Sequence, residues 1–569
     1  MEIVRCARQE NTTEPLRLID IGSSRLHIDS SRSTTRSIAI SDSPIDGEHG
    51  HLPRARILCR SNDRVVQAVE SHRCICGVEG GELIKYADQM SIINAPIVVV
   101  VGGGFGGVAA VQALEKAAVN VVLIDKQNHH LFQPLLYQVA TSVLPPSNIA
   151  FPIRRIFRNQ ENAFVFNDDV IGIDLASNRL LFANNRKSPY DYLILAAGAG
   201  TSYFGHDEWA QFAPGMKSLE DATVIRNRIL RAFEDAEAET DPTALRAHLT
   251  FVIVGGGATG VELSGAIKEL GVDSICKDYR RFDAKSARVI LVEASDRLLS
   301  SMSHSSSSSA LKALEKIGVE VRLKQSVTNV CADSVEIDAE RIFANTIVWT
   351  AGVQANSLGA SLGTQLDRSG RVKVEPDCSV KGAPNVFVIG DMATVTCAKT
   401  GKPVPGVAPA AQQMGRFVAN IISREVAAKN KQAKHAASSH ASASTHTSDS
   451  NASQQKNALA QRGVFVYFDK GSMATIGRAQ AVAEVAGLKF HGFLAWLAWL
   501  FIHLFLLVGF NNRILVFLSW GISYITYSKG SRIISGNPHS NVVSPVGADV
   551  GNSPAERRTA TEQLIRRMQ

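Results

Sequence analysis

Two short stretches hold the residue types with the clearest chemistry. In VVVVGGGFGG the spacing is Gly102-x-Gly104-x-x-Gly107, and in FVIVGGGATG it is Gly255-x-Gly257-x-x-Gly260. Each of the three positions wants glycine for its own reason. The first allows a tight turn, the second lets backbone approach a pyrophosphate, and the third lets the following helix sit close to the strand. The helix N-terminus then aims free N–H groups at phosphate oxygens. Phe105 and Gly106 complete the first turn, Ala258 and Thr259 the second. Each turn also has an acid. Asp125, followed by Lys126, closes the strand after the first helix, and Glu293 closes the strand after the second. A carboxylate there accepts from ribose hydroxyls and repels a 2′-phosphate, so the second site is expected to prefer NAD(H) to NADP(H). Arg297, close behind Glu293, pulls the other way. Two sites imply two dinucleotides, one held and one exchanging, with hydride passing from a nicotinamide to a flavin.

The chain around the turns reads as the elements that must hold them. IVVVV is the β-branched run of a parallel strand buried on both faces. GVAAVQALEKAA has helical spacing, and NVVLID is the next strand. The order returns in LTFVIVGGGATGVELSGAIKEL and ARVILVEAS, with GVDSICKDYRRFDAKSA lengthening the segment between them. YDYLILAAGAG, ANTIVWTAGV and NVFVIGDMA are short apolar strands ending in small residues. The expected class is α/β, with two Rossmann-like dinucleotide-binding domains and a C-terminal membrane-associating helical segment.

The expected boundaries put the first domain at 95–249 and 351–427, with the second at 250–350 between them. Residues 1–94, rich in Ser and Arg, read as a disordered extension or a start-site artefact, since Met90 opens the sequence a stand-alone domain would have. They fit neither a secretory signal nor an acid-poor transit peptide. Residues 428–462 are polar and low in complexity, which predicts a solvated loop. Residues 463–536 regain apolar content, and 537–569 form a polar tail.

At 569 residues several domains are expected, and a formal charge of +7 is too mild and scattered to argue for nucleic acid. Eight cysteines are sparse and form no disulfide framework, which fits a reducing compartment.

VFVIGD (386–391), taken with the two turns and YDYLILAAGAG, resembles the FAD- and NAD-dependent pyridine-nucleotide oxidoreductases. That resemblance implies that Asp391 hydrogen-bonds the flavin's ribityl chain and that the Ala197–Gly198 bend passes close to it. Five further segments are similar to the type II, non-proton-pumping NADH dehydrogenases, which are NADH:quinone oxidoreductases. They are HHLFQPLLYQVATSVLPPSNIAFPIRRIF, VWTAGV with its Gly352, APAAQQMG, DKGSMATIGRAQAVAE and the apolar tail from Gly492. The resemblance covers roughly 95–427 and 463–536. It implies bound FAD, NADH as exchanging substrate and a membrane quinone as acceptor. It also implies that Gln413 lies beside the flavin where the quinone docks, that Glu262 lies near the nicotinamide and that Lys470 approaches the flavin edge. The plainer readings are a solvent-facing helix residue, a helix surface charge and a turn charge. A homodimer on the cytoplasmic face of a bacterial inner membrane is the family's expectation too. No calcium loop of EF-hand spacing interrupts the chain. The polar insert and the serine run SHSSSSSA depart from the family's pattern without touching a motif.

FLAWLAWLFIHLFLLVGF (493–510) carries no Asp, Glu, Lys or Arg, and ILVFLSWGISYITY follows after NNR. Trp496, Trp499, Trp520, Tyr524 and Tyr527, with Lys489, Arg513, Lys529 and Arg532, suit a headgroup interface. The competing forms are a helical hairpin dipping into the bilayer and a buried core pair. Three other functions were weighed. A soluble disulfide reductase needs cysteines just after the first turn, and none occurs between Cys76 and Cys276. A sulfide:quinone oxidoreductase needs cysteines near the flavin, with Cys331, Cys378 and Cys397 as its candidates. A non-catalytic flavin- and NAD-binding sensor is the third.

Overall fold

The structure, a computed structural model, describes residues 95–439 except 184, and 462–535 except 486 and 527–529, with a few short strands before residue 66. Those strands pair Asp20–Ile21 with Ser24–Arg25, and Ile57–Ser61 with both Ile38–Ile40 and Arg64–Val65. The readings of 1–94 as an extension and 537–569 as a tail otherwise fall outside the described residues, as do Tyr527 and Lys529.

Two parallel sheets carry the two turns. The first has the order Ala163–Asn167, Asn120–Asp125, Ile97–Val101, Tyr192–Leu195, Ala383–Val388, Ser379–Val380, parallel except for the last pair. Val98, Val99 and Val100 are all buried, so neighbouring side chains on opposite faces are both covered, as the unbroken β-branched run requires. The second sheet has the order Val319–Leu323, Arg288–Glu293, Thr250–Val254, Thr346–Trp349 and is wholly parallel. The short strands Ala199–Thr201 and Val353–Ala355 pair antiparallel where the chain leaves the first unit and where it returns.

Past the insert, Ser472–Gly477, Gln480–Val485 and Leu488–Gly492 form an antiparallel sheet. It lies directly on the helix Ala258–Glu269. A Cβ at Gly265 would stand 2.1 Å from the Ile476 carbonyl oxygen, so only glycine permits that approach. Helices Phe493–Leu506 and Phe510–Thr526 follow. Among the described residues no helix is long and apolar enough to cross a membrane. At 1.5 Å per residue, 14 and 17 residues fall short of the roughly 30 Å hydrocarbon layer.

Two expectations are corrected. The stretch from 428 does not begin as a loop, because the helix Ala408–Ser439 runs on to Ser439, and residues 440–461 lie outside the described residues. AAKNKQAKHAA is built of good helix formers, and extending a nucleated helix needs no burial. The chain re-enters at Arg462, whose Nε bonds Glu425 at 2.6 Å while a terminal nitrogen bonds Asp377 at 3.0 Å, tying the insert's far end to the first unit. The second correction concerns the tail aromatics. Trp496, Trp499 and Trp520 are buried, turned inward rather than toward a headgroup layer. Trp520 Nε1 donates to Gln138 at 2.7 Å, and the Trp499 and Trp520 ring centroids lie 5.6 Å apart. With a protein acceptor in reach, the Trp520 indole gains more by packing inward than by facing the solvent side. Arg513 and Arg532 are engaged too, with the Leu507 carbonyl and with Asp278.

Candidate functional site

The first turn is built as its spacing demands. Gly102 has φ +106°, and a Cβ there would stand 2.4 Å from the Ala196 carbonyl oxygen. A Cβ at Gly107 would lie 1.8 Å from the Gly102 oxygen, so the helix Phe105–Ala113 can start this close to the strand only on glycine. At Gly104, in contrast, nothing lies within 4 Å of the Cβ position. That open side is where a pyrophosphate can meet the backbone and the helix N-terminus. Asp125 braces the loop by accepting from Gly103 N–H at 2.5 Å and Gln127 N–H at 2.6 Å. Burial outweighs these bonds and raises its pKa. Gly106 is packed against Ile389 and the Ala411 carbonyl, and Lys126 is exposed beside Asp125.

The second turn repeats this almost atom for atom. Gly255 has φ +109° and would clash with Ala351 N at 2.7 Å, and Gly260 would stand 1.9 Å from the Gly255 oxygen. Gly257 is clear to 4 Å. Glu293 accepts from Gly256 N–H at 2.5 Å and from the Ser295 N–H and hydroxyl at 2.7 and 2.6 Å. Arg297 is turned to the Ser300 carbonyl. Ala258 and Thr259 open the helix.

Around the first turn the carboxyl ends of the strands bring the remaining flavin candidates together. Asp391 sits in the 3-10 turn Gly390–Met392, and among the described residues its carboxylate has no hydrogen-bond donor. Met392 Sδ receives the Ala197 N–H at 3.2 Å, which ties the Ala197–Gly198 bend to the Asp391 turn. An open cradle at Gly104, a half-buried ribose acceptor and an unengaged carboxylate together fit an FAD molecule.

Comparison with known proteins agrees. The model of the pyridine nucleotide-disulphide oxidoreductases matches residues 96–415, and that of the NDH2 C-terminal domain matches 470–526. The type II NADH:quinone oxidoreductase Ndh of Mycobacterium tuberculosis is 42% identical over 77% of this chain and 90% of its own length. NdhA of the same organism is 43% identical over 77% and 89%. The chain belongs to the type II NADH:quinone oxidoreductases. The NDH2 structure from Plasmodium falciparum in complex with NADH shares the fold, with a TM-score of 0.65 at 18% identity, covering 77% of this chain and all of that one.

Three further candidates sit where the tail sheet and helices meet the body of this type II enzyme. Gln413 does not face free solvent. Its amide donates to the Phe468 carbonyl and accepts the Phe468 N–H, both at 2.9 Å, clamping the segment before the tail sheet to the helix Ala408–Ser439. Lys470 follows two residues later and is exposed. Glu262 does not line the second turn's open side. It lines a cavity of about 70 Å³ between its own helix and the tail, with Tyr137, Gln138, Thr475, Trp499 and Trp520. Thr475 N–H reaches it at 3.3 Å, and burial pushes its carboxyl up to about 8.

Tyr137 and Gln138 received no role from the sequence, and no local pattern shows that these helix positions turn toward residues some 380 further on. The four described cysteines are free, and Cys378 and Cys397 are buried in the first unit's core. They offer no exposed pair to the flavin candidates.

Proposed function

We propose that the first turn holds FAD and the second receives NADH, and that this chain reduces a membrane quinone without pumping protons. The reading rests above all on two turns of one geometry, each with an open second glycine and a braced acid, in a chain of this family. When bound, FAD supplies the two-electron chemistry that links a hydride donor to a quinone. The protein's own residues bind and orient. The helix N-termini at Phe105 and Ala258 hold the two pyrophosphates, while Asp125 and Glu293 accept from ribose hydroxyls. Asp391 anchors the ribityl chain, Ala197 and the open Gly198 leave room beside it, and Gly352 carries the backbone past the second coenzyme. Glu262, neutral at pH 7 because burial raises its pKa to about 8, holds a proton close to the tail. Gln413 fixes the segment carrying Phe468 and Lys470, and with it one wall of the quinone's approach.

The tail supplies the lipid contact. Leu494, Phe501, Phe505, Phe517, Leu518 and Ile522 are all exposed, while the Trp side of the same helices is buried. A face so apolar on short helices suits binding in the bilayer surface. The cytoplasmic leaflet is its place, and a homodimer is the assembly we expect. Mixing purified protein with NADH is the direct test: the yellow chromophore should bleach and recover on adding quinone. A colourless protein, or one that only sulfide bleaches, would end this reading.

A further inference from the structure

Phe204 stands where a phenylalanine has little reason to be. The turn Tyr203–His206 is closed by His206 N–H to the Tyr203 carbonyl at 3.1 Å, and its central residues Phe204 and Gly205 have φ +56° and +97°. Positive φ at both central positions is the pattern that favours Asn-Gly or Gly-Gly, and a bulky side chain there is a conformational outlier. Packing compensates little: the ring meets Trp349 with centroids 6.4 Å apart, and Phe204 is still 68% exposed. Such strain at an exposed residue points to a use for the ring itself.

The surroundings say what that use is. The turn's base is fixed: Tyr203 is buried with its hydroxyl donating to the Ala213 carbonyl at 2.8 Å, and Trp349 Nε1 donates to the Ser202 carbonyl at 2.9 Å. The Phe204 ring leans over Gly352, where a Cβ would stand 2.7 Å from its Cζ. Gly352 directly follows Ala351, the residue against which Gly255 of the second turn closes. In the other direction Val353–Ala355 pairs with Ala199–Thr201, and Asn356 N–H bonds the Gly198 carbonyl at 3.1 Å. The ring thus stands beside the backbone path that joins the second glycine turn to the flavin bend.

We propose that Phe204 is a positioning residue for NADH, forming a wall over the nicotinamide half of the dinucleotide where it leaves the second turn for the flavin. The proposal rests on the second turn being the NADH site. The ring covers an apolar face of the nicotinamide riboside, excludes water beside it and narrows its approach. The strained turn holds the ring in place before the substrate arrives, so less order is lost on binding.

The test is calorimetric titration of the oxidised holoenzyme with NAD⁺, alongside steady-state kinetics. Phe204→Ala should weaken NAD⁺ binding and raise KM for NADH by about three- to tenfold, the scale of one lost ring contact, with KM for quinone unmoved. Phe204→Tyr should restore both. Phe204→Asn, which the turn prefers, should melt at or above the wild-type temperature and still bind NAD⁺ as weakly as the alanine variant. A merely structural role would give the reverse pairing. Wild-type NAD⁺ affinity in Phe204→Asn would overturn the proposal. Glu293→Gln, measured in parallel, separates the two levels. If it leaves the choice between NADH and NADPH untouched, the second-turn reading fails; if it shifts that choice while Phe204→Asn binds normally, only the wall fails.

Discussion

The two glycine turns are near copies in backbone geometry and differ in what is packed around them. In each, the first glycine's N–H reaches a carbonyl of the parallel strand that follows the helix at 2.8 Å, the middle N–H reaches an acid at 2.5 Å, and the second signature glycine is open. The difference lies on the helices. The first helix is closed over by the helix Ala408–Ser439, so tightly that a Cβ at Gly415 would stand 2.3 Å from the Gly106 oxygen. The second helix meets the tail sheet only further along, at Gly265, and Gly257 and Ala258 at its start remain exposed. Where the first helix has the buried Ala109, the second has Glu262 facing the tail. On the reading proposed above, one turn design serves both a resident and an exchanging coenzyme, and the packing around the helices distinguishes the two.

The strongest way to break this comparison is the same substitution in both turns. Gly107→Ala and Gly260→Ala meet equivalent backbone oxygens, at 1.8 and 1.9 Å. The first should yield protein that loses its flavin on purification. The second should stay yellow but resist bleaching, with kcat/KM for NADH down at least about a hundredfold, ~3 kcal/mol of transition-state binding. Absorption spectra of the two proteins decide it. If both lose flavin, or both bleach normally, the division of labour between the turns is wrong.

A smaller change sharpens the acids. Glu293→Gln removes the charge facing a 2′-phosphate but keeps an acceptor for Ser295, so discrimination against NADPH should fall about tenfold with little loss of NADH affinity. Gln413→Ala should leave bleaching by NADH nearly intact while slowing reoxidation by quinone about fivefold, since it frees the Phe468 clamp on the tail side only. Equal losses in both half-reactions would detach Gln413 from the quinone.

Much of this was legible in the chain. Glycine spacing and strand-final acids are local signals: φ above zero and close backbone approach admit only glycine, so Gly102, Gly255 and their partners declare themselves. The apolar runs at Val98 and Phe251 are equally local. The tail was readable as apolar but not as oriented. Whether Trp499 and Trp520 face lipid or protein depends on Tyr137 and Gln138, which they meet across most of the length of the chain. Gln413 stands out only through the resemblance of APAAQQMG, and its two bonds to Phe468 come from tertiary folding across the insert. Helix continuation past residue 428 is hidden in the sequence by polarity, which helix propensity overrides.

The smallest predicted effect tests the carboxyl that the second helix turns toward the tail. Glu262 has its pKa raised from 4.5 to about 8, mainly by burial. A raised acid binds its proton more tightly folded than unfolded, so its contribution is full below pH 4.5 and declines as pH climbs toward 8. Over that window the folded state holds more protons than the unfolded one, and stability falls with rising pH. Glu262→Gln keeps the neutral shape and removes the titration. The variant should therefore lose less Tm than the wild type between pH 5 and pH 8, by about 1–2 °C given the size of the chain. Ala109→Gln at the matching place on the first helix introduces no titration and should leave the pH slope as it was. Parallel slopes for Glu262→Gln and wild type would mean that the carboxyl is hydrated in solution, and its service as a proton holder beside the tail would lose its physical basis.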